Sequence, residues 1–352
     1  MKNITTLSLL AVMMLSACGG NEEQKKKEQE AAQSAEYDVL LKEKGIADLF
    51  SPISASSVGL EDPKVNLGYH LYYDTRLSKK GTISCNSCHN LSTFGVDKEA
   101  TSPGDDGIRG DRNSPTVINA SLHFKQFWDG RAETIEEQAG MPVLNPVEMN
   151  IPDKAFLVSR LSGVDLYKDL FAKAYPGAAN PITYDNVQNA IGAFERTLVT
   201  PSRFDDYLKG KTEALTLAEK KGMMSFITTG CTQCHTGPLL GGNIFQKFGV
   251  HDDYWKYTKS QKVDEGLFAI SKNENEKYMF KVPSMRNIEH TGPYFHDGSV
   301  SSLEESVKIM AKVQLNYNIS DAEVNNIVAF LKSLSADVPE SVKRAPAALA
   351  AN

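Results

Sequence analysis

The chain has 352 residues and a formal net charge of −6, from 38 Lys and Arg against 44 Asp and Glu. This acidic excess argues against nucleic acid as a partner and at most favours a basic redox partner. The length suits two domains of ordinary size, each able to bury a core of its own.

The chain begins with the pattern of a bacterial secretory signal. Lys2 precedes an apolar run over 7–15, and small residues then lead to Cys18 in the sequence Leu-Ser-Ala-Cys. This order resembles a lipobox, which implies a signal peptide over 1–17, cleavage before Cys18 and lipidation of the Cys18 thiol. The apolar run is too short to span a bilayer comfortably as an uncleaved anchor.

Residues 18–36 are charged, mixed in sign and nearly free of apolar side chains. This composition predicts a solvated, flexible tether that holds the folded part away from a membrane surface. Gly19 stands where an Asp would favour the inner membrane, so a lipid anchor at the periplasmic face of the outer membrane is the expected location. No later segment is apolar enough for a transmembrane helix, so we expect membrane contact through the lipid anchor only.

Helical periodicity dominates the rest of the chain. In the segment 184–198, for example, Ile191, Phe194 and Leu198 share one face. Ser320, with Glu323 three residues later, predicts the start of the last helix. No long alternating strand pattern occurs, so the predicted fold is mainly α. Further helices are predicted at 62–74, 153–161, 165–174, 216–228, 302–313 and 320–334.

Two copies of the pattern Cys-x-x-Cys-His predict the cofactors. Two thiols one helical turn apart can bond both vinyl groups of one porphyrin, and the adjacent imidazole then falls beneath the iron. The pattern is the attachment signature of c-type haem, so the chain is predicted to carry two c-type haems. The residues are Cys85, Cys88 and His89 in the first copy and Cys231, Cys234 and His235 in the second.

Two other uses of paired cysteines fit less well. A redox dithiol needs no trailing His and would not be expected twice in one chain. A four-Cys zinc site usually has its two pairs within about 20 residues, whereas these pairs begin at 85 and 231. With Cys18 lipidated and four cysteines on haem, none of the five cysteines is left for a disulfide or a metal.

One haem per domain is the natural division of the chain. Pro201-Ser202-Arg203 breaks the helical pattern midway between the two motifs and marks the predicted boundary. The predicted architecture is mainly α, with two cytochrome c-like domains that each enclose one haem. The predicted segments are 37–200 for the first domain, 201–334 for the second, and a C-terminal tail over 335–352. The final helix and this tail are candidates to pack back on the first domain.

Segments in both halves resemble a known family. They read RNSPTVINA at 112–120, QFWDGRA at 126–132, PVEM at 146–149, FKVPSMRN at 280–287 and GPYFHDG at 292–298. In this order they resemble the bacterial di-haem cytochrome c peroxidases, the family that also contains MauG. The similarity runs from about residue 45 to residue 335.

The resemblance implies that the iron bound by His235 takes a methionine as its second protein ligand. A soft thioether favours ferrous iron and raises the reduction potential, which suits an electron entry and storage site. Met310 matches the family's ligand motif. Met285 is the competitor, but it occupies a position where the family usually has another apolar residue.

The resemblance also implies that the haem bound by His89 reacts with hydrogen peroxide. Glu148 matches the family's catalytic glutamate, an acid and base for breaking the O–O bond, and Gln138 matches the accompanying distal glutamine. Trp128 matches the tryptophan between the two haems, implied to carry electrons from one to the other. Asn113 matches the position that gives a side-chain oxygen to an inter-domain calcium ion, which prefers oxygen ligands.

One position departs from the family pattern. Many members close the peroxide-binding iron with a distal His, and that position falls on Asp105 here. A carboxylate is a poor substitute for imidazole as a ligand to low-spin haem, so the oxidised enzyme is expected to be active without reductive activation. His123 is a weaker candidate for this iron, because it lies only five residues before Trp128 in a packed segment.

The leading function is therefore a cytochrome c peroxidase that reduces hydrogen peroxide to water with two electrons from a small periplasmic donor, a monohaem cytochrome c or a cupredoxin. One alternative is a MauG-like enzyme that oxidises a protein substrate, but that subgroup replaces the methionine ligand with Tyr, so Met310 argues against it. The other is a non-enzymatic electron-transfer cytochrome, which would need no Glu148. Family members are often homodimers, and the sequence holds no decisive interface signal.

Overall fold

The computed structural model describes the backbone of residues 7–350 and the side chains of residues 22–349. The proposed lipidation site, Cys18, and the side chains of the predicted signal peptide lie outside the described residues. The helices are α1 Leu7–Glu43, α2 Ile46–Leu49, α3 Pro63–Tyr73, α4 Cys85–Cys88, α5 Ile135–Leu144, α6 Lys154–Ser162, α7 Asp165–Ala174, α8 Tyr184–Glu195, α9 Arg203–Leu208, α10 Leu217–Thr229, α11 Tyr254–Thr258, α12 Phe268–Ser271, α13 Leu303–Leu315, α14 Asp321–Lys332 and α15 Ala347–Ala350. Two short strands, β1 Phe245–Lys247 and β2 Met279–Lys281, pair in antiparallel fashion.

The predicted mainly α architecture is confirmed, and each helix predicted from periodicity is present within a few residues of its expected bounds. Capping groups define several of the helix starts. Asp62 accepts hydrogen bonds from the backbone nitrogens of Lys64 and Val65, at 2.8 and 3.1 Å. Ser320 and Glu323 form the predicted capping box, which satisfies backbone donors that a helix start would leave unpaired.

The segment 18–36, predicted to be a flexible tether, lies within α1. Ala, Glu, Gln and Lys are strong helix formers, which accounts for the helical backbone. Lys27 adds an ion pair to Glu23 one turn earlier, at 2.6 Å. The side chains of residues 22–33 are exposed, as a solvated segment requires.

Buried side chains form two main cores that divide near residue 200. The first core draws on α3 and α5 to α8 and includes Leu71, Val143 and Phe194. The second draws on α9, α10 and α14 and includes Phe204 and Phe330. A third, smaller cluster joins β2 and α13.

Each main core is built on a pair of helices that approach closely at a glycine. A Cβ at Gly68 in α3 would lie 1.9 Å from the carbonyl oxygen of Ala190 in α8. A Cβ at Gly222 in α10 would lie 1.9 Å from the carbonyl oxygen of Asn326 in α14. Only glycine permits such backbone contact, so the two halves use the same packing device.

Two segments cross between the halves. Leu41 and Phe50 belong to the second core, and the backbone nitrogen of Ile53 donates to Asp205 at 2.7 Å. Residues 41–53 therefore pack with the second domain, although the sequence assigned them to the first; apolar burial on α9 and α14 decides their position. The tail does reach the first core, through Val338 and Val342. The helix predicted over 320–334, which is α14, packs in the second core instead.

Candidate functional site

The first Cys-x-x-Cys-His motif forms one helical turn. Cys85 and Cys88 are the first and last residues of α4, and the turn is stabilised by a 2.9 Å hydrogen bond from the Ser84 backbone nitrogen to the Ser87 hydroxyl. His89 follows, with its Nδ1 3.0 Å from the carbonyl oxygen of Pro115. Because a carbonyl can only accept, Nδ1 carries the proton and Nε2 remains the free ring nitrogen.

The second motif has the same arrangement. α10 ends at Thr229 with Gly230 as its C-cap, and a short 3-10 turn over Cys231–Gln233 leads to His235. The Nδ1 atom of His235 lies 2.9 Å from the carbonyl oxygen of Leu240. Burial lowers the pKa of both His89 and His235, which favours the neutral imidazole that a metal requires.

None of the four motif cysteines forms a disulfide. Burial raises the pKa of Cys231 to about 12 and, with the nearby Asp97 and Glu148 carboxylates, that of Cys88 to about 11. Among the described residues, no group of three or more His, Cys, Asp or Glu side chains is placed to hold a metal ion. Two thiols one turn apart, followed by an imidazole with a free Nε2, fit the demands of a covalently attached c-type haem.

Glu148 lies in the loop that follows α5. Its backbone nitrogen donates to Asn145 at 3.0 Å, and its carbonyl oxygen accepts from the Asp105 backbone nitrogen at 2.8 Å. The side chain is half-buried. Burial raises its pKa, while the charge of Arg131 and a hydrogen bond from Asn145 oppose the rise. The charge of this carboxyl group contributes to the raised pKa of the Cys88 thiol.

Gln138, the predicted distal glutamine, lies in α5 between the Thr134 cap and the Glu148 loop. Its backbone nitrogen donates to the Thr134 carbonyl at 3.0 Å, and its side chain is half-buried. One rigid helix and its following loop therefore carry both residues implied to act on peroxide.

The carboxylate of Asp105 is held by the loop before the first motif. It accepts from the Lys80 backbone nitrogen at 2.6 Å and from the Thr82 hydroxyl at 2.5 Å. Although burial opposes ionisation, these hydrogen bonds lower the pKa of Asp105. The side chain is 6% exposed, and it occupies a polar site of its own at the position aligned with the distal His.

His123 lies against residues of the second half. Its Nδ1 is 2.7 Å from Lys281 Nζ, and the Phe124 backbone nitrogen beside it donates to Gly242 at 2.9 Å. These contacts assign the ring to the boundary between the halves. His296 is also buried there, 2% exposed, and stacks on Phe280 with ring centres 4.4 Å apart.

Trp128 joins the two halves. Its indole nitrogen donates to the Asn113 carbonyl at 2.9 Å, and its own carbonyl accepts from the Lys281 backbone nitrogen at 2.8 Å. The ring packs against the third cluster, as does Met310. A first-half tryptophan is thus embedded in second-half side chains.

Asn113 is buried at the same boundary. Its side-chain amide donates to the carbonyls of Glu99 and Ala100, at 3.0 and 3.3 Å, and its backbone nitrogen donates to His296 at 2.7 Å. The side-chain oxygen of Asn113 therefore remains as a possible ligand for a cation. No further calcium ligand is identified among the described residues, so calcium at Asn113 stays a prediction.

The two candidate methionines lie in different places. Met310 is in α13 and packs on the third cluster, whereas Met285 packs on the second core. The Met285 backbone nitrogen donates to Leu239 at 3.0 Å, next to the Leu240 carbonyl that holds His235. The backbone of Met285 is therefore bonded to the segment that also holds His235.

The sequence did not single out Lys281 or the ion pair between Arg286 and Asp205, both buried in the second half. The sequence does contain one indication of them, since two cations lie within the matched segment 280–287 and a buried Lys or Arg needs a partner. Their partners, at 123 and 205, lie too far away in the sequence to be identified from it.

Comparison with known proteins identifies the family. Residues 62–213 match the model of the di-haem cytochrome c peroxidase family. The cytochrome c551 peroxidase of Nitrosomonas europaea is 44% identical over 279 residues, covering 78% of this chain and 80% of the relative. That of Pseudomonas aeruginosa is 42% identical over 297 residues, covering 83% and 85%.

A crystal structure of a MauG-like protein associated with microbial copper homeostasis superposes with a TM-score of 0.70 at 28% identity, covering 84% of this chain and 95% of that one. The fold, the paired motifs and these similarities agree along most of the sequence. The chain belongs to the di-haem cytochrome c peroxidase family.

Proposed function

We propose that this protein reduces hydrogen peroxide to water in the periplasm, with two electrons and two protons consumed for each peroxide. When bound, the two c-type haems supply the redox chemistry. The observation that supports this function most directly is the half-buried Glu148, whose pKa is raised by burial and whose carboxyl group lies beside the first motif. A non-enzymatic electron carrier has no need of such a group.

Glu148 is proposed to move a proton between the two oxygens of peroxide. Its carboxylate would take the proton from one oxygen and return it to the other as the O–O bond breaks. The hydrogen bond from Asp105 to the Glu148 carbonyl and that from the Glu148 nitrogen to Asn145 fix the loop, so the carboxyl group need not be ordered during the reaction. Gln138 would orient the peroxide from α5.

Electrons are proposed to enter at the His235 site and to reach the His89 site by way of Trp128. The ring of Trp128 shares the third cluster with Met310, and its indole nitrogen is fixed on Asn113. Met310 is the proposed second ligand to the His235 iron. Its competitor Met285 packs on the second core and not on the cluster that contains Trp128.

The oxidised enzyme is proposed to be active without prior reduction. Asp105 is held by hydrogen bonds from Lys80 and Thr82, and its carboxylate could reach iron only by giving up these bonds. We expect equal initial rates of peroxide consumption with and without pre-reduction of the enzyme, measured by stopped flow. A lag in the oxidised sample, together with a six-coordinate, low-spin first haem, would contradict the proposal.

The proposed electron donor is a small periplasmic cytochrome c or cupredoxin, and the proposed location is a periplasmic membrane surface reached through lipid on Cys18. Among the described residues, no helix combines the length and apolar character needed to cross a bilayer. The net charge of −6 favours a donor with a basic docking face.

Peroxide titration of the half-reduced enzyme separates the candidate functions. Fast consumption with repeated turnover supports the peroxidase. A long-lived high-valent state would instead favour the MauG-like oxidation of a protein substrate, and inertness would leave electron transfer only.

The matched test of the residue is Glu148→Gln, with Glu36→Gln on the exposed part of α1 as the control. Because Glu148→Gln lacks the proposed acid and base, its kcat should be about 10²- to 10⁴-fold lower than that of the wild type. The kcat of Glu36→Gln should equal the wild-type value. In the wild type, kcat/KM should fall as the pH drops through the pKa of Glu148. Because burial raises that pKa, the fall should begin at a higher pH than for an exposed glutamate. A variant with full turnover would rule out the proposed role.

A further inference from the structure

Lys281 is a buried cation that lacks an acidic partner at contact distance. It is the last residue of β2, is 5% exposed and lies between the buried Phe280 and Val282. None of the ion pairs among the described side chains includes its ammonium group. The acidic group that acts on it is Asp129, whose carboxylate is already bound by Arg112 and Arg131. A buried charge is costly unless it is paired and hydrogen-bonded.

The contact of Lys281 with His123 leaves a second nitrogen without a partner. Lys281 Nζ lies 2.7 Å from His123 Nδ1. Burial lowers the pKa of Lys281 to about 7, and in its charged form the ammonium group can only donate. Nδ1 is therefore the acceptor, and in the neutral imidazole the proton is on Nε2. The Nε2 atom is buried and has no hydrogen-bond partner. Two neighbouring groups thus present unsatisfied N–H donors, and an acceptor for them is missing from the protein atoms.

The position of these donors links them to the second motif. An ideal Cβ at Gly242 would lie 2.6 Å from the Cδ2 atom of His123, and Gly242 follows closely after Leu240, the partner of His235. On the other side, the Lys281 backbone nitrogen is bonded to Trp128. On the strand paired with β2, Gln246 contacts the Cys234 sulfur at 3.7 Å. The donors therefore lie between the second motif and Trp128.

We propose that Lys281 and His123 bind a propionate carboxylate of the haem attached at Cys231 and Cys234. Besides the vinyl groups that form the thioethers, a haem carries two propionate carboxylates, which need hydrogen-bond donors or cations from the protein when they are buried. A carboxylate accepts several hydrogen bonds and neutralises an ammonium group. This single group would give the unpartnered Nε2 of His123 an acceptor and the ammonium group of Lys281 an anionic partner.

The binding would connect the two halves through the cofactor. His123 belongs to the first half and Lys281 to the second, so one carboxylate would hold both beside Trp128. The cation would also offset the negative charge of the propionate. Because that negative charge favours the ferric state, its neutralisation raises the reduction potential of the second haem and suits electron storage.

The test compares Lys281→Met with Lys247→Met in the holoenzyme. Lys247 is an exposed lysine on β1, the strand paired with β2, and its charge is screened by water. Potentiometric titration should show a lower potential for the second haem in Lys281→Met than in the wild type or the control. The resonance Raman bands of the propionate groups should shift in Lys281→Met and in His123→Phe, because each loses a donor.

Three outcomes would overturn the inference. The first is a Lys281→Met potential equal to that of Lys247→Met with unchanged propionate bands, and the second is a shift confined to the first haem. The third is a wild-type potential that varies with inorganic phosphate, which would indicate a small anion in the site. If Lys281→Met fails to load haem, Lys281→Arg should retain the wild-type potential and His123→Phe still reports the bands. None of these measurements depends on peroxide turnover, so failure of the proposed function is a separate result.

Discussion

The backbone hydrogen bond from Asp105 to Glu148 joins the loop that departs from the family pattern to the loop that carries the proposed acid and base. Asp105 in turn is fixed by Lys80 and Thr82, just before the first motif. If Asp105 stands in place of a distal imidazole, as proposed, it does more than remove a ligand. It adds a polar anchor that fixes the loop against the motif segment and, through the shared backbone bond, limits the movement of Glu148.

Asp105→Asn should destabilise the protein by about 1–3 kcal/mol at pH 7, because the ionised acceptors of the Lys80 and Thr82 donors are lost. Hydrogen bonds hold the folded-state pKa of Asp105 below its usual value. Its contribution to stability is therefore present above the unfolded pKa and lost as the pH falls through the lower, folded pKa.

Urea unfolding at pH 7 and at pH 3 measures this effect. The difference in unfolding free energy between the wild type and Asp105→Asn should shrink at the lower pH. Asp106→Asn is the neighbouring control, since Asp106 is partly exposed and its ion pair with Lys80 is on the surface. An equal difference at both pH values would mean that the charge of Asp105 does not provide the stability.

At the scale of elements, the sequence was a good guide wherever a local rule applied. The 3.6-residue periodicity of α8 and the capping box of α14 are both properties of a few consecutive residues. The β1–β2 pair was not predicted, because strands of three residues show no alternation. The proximity of His123 and Lys281 was also beyond the sequence, since only tertiary packing brings residues 158 positions apart into contact.

Gly222→Ala should be destabilising even though alanine is the better helix former. The added Cβ would lie 1.9 Å from the Asn326 carbonyl oxygen, so α10 and α14 would have to separate. Overpacking of this kind costs about 1–3 kcal/mol, more than the ~1 kcal/mol that alanine gains over glycine in a helix.

Gly110→Ala is the matched control, because a Cβ there meets nothing within 4 Å. Thermal unfolding of both variants should show a lower Tm for Gly222→Ala and a near wild-type Tm for Gly110→Ala. A rise in Tm for Gly222→Ala would mean that helix propensity outweighs the contact and that the close approach of α10 and α14 is not required.

For the molecule as a whole, two segments pack against the core that is farther from them along the chain. Residues 41–53 precede the first motif yet pack with the second core through Leu41 and Phe50. The tail follows the second core yet packs on the first through Val338 and Val342. The sequence division at residue 201 describes the cores well, but apolar residues in short segments carry too little pattern to reveal which core they join.

The tail should stabilise the first domain selectively. Tyr73 in α3 donates to the Val342 carbonyl at 2.6 Å, and Ser92 donates to the Lys343 carbonyl at 3.1 Å. Truncation after Ser335 removes these bonds and uncovers apolar surface of α3, so hydrogen exchange at the α3 amides should accelerate while the α10 amides remain protected. Truncation after Pro346 keeps Val338 and Val342 and should leave both helices at wild-type rates. Equal acceleration in α3 and α10 would show that the tail stabilises the molecule as one cooperative unit, and unchanged exchange would show that its packing adds nothing.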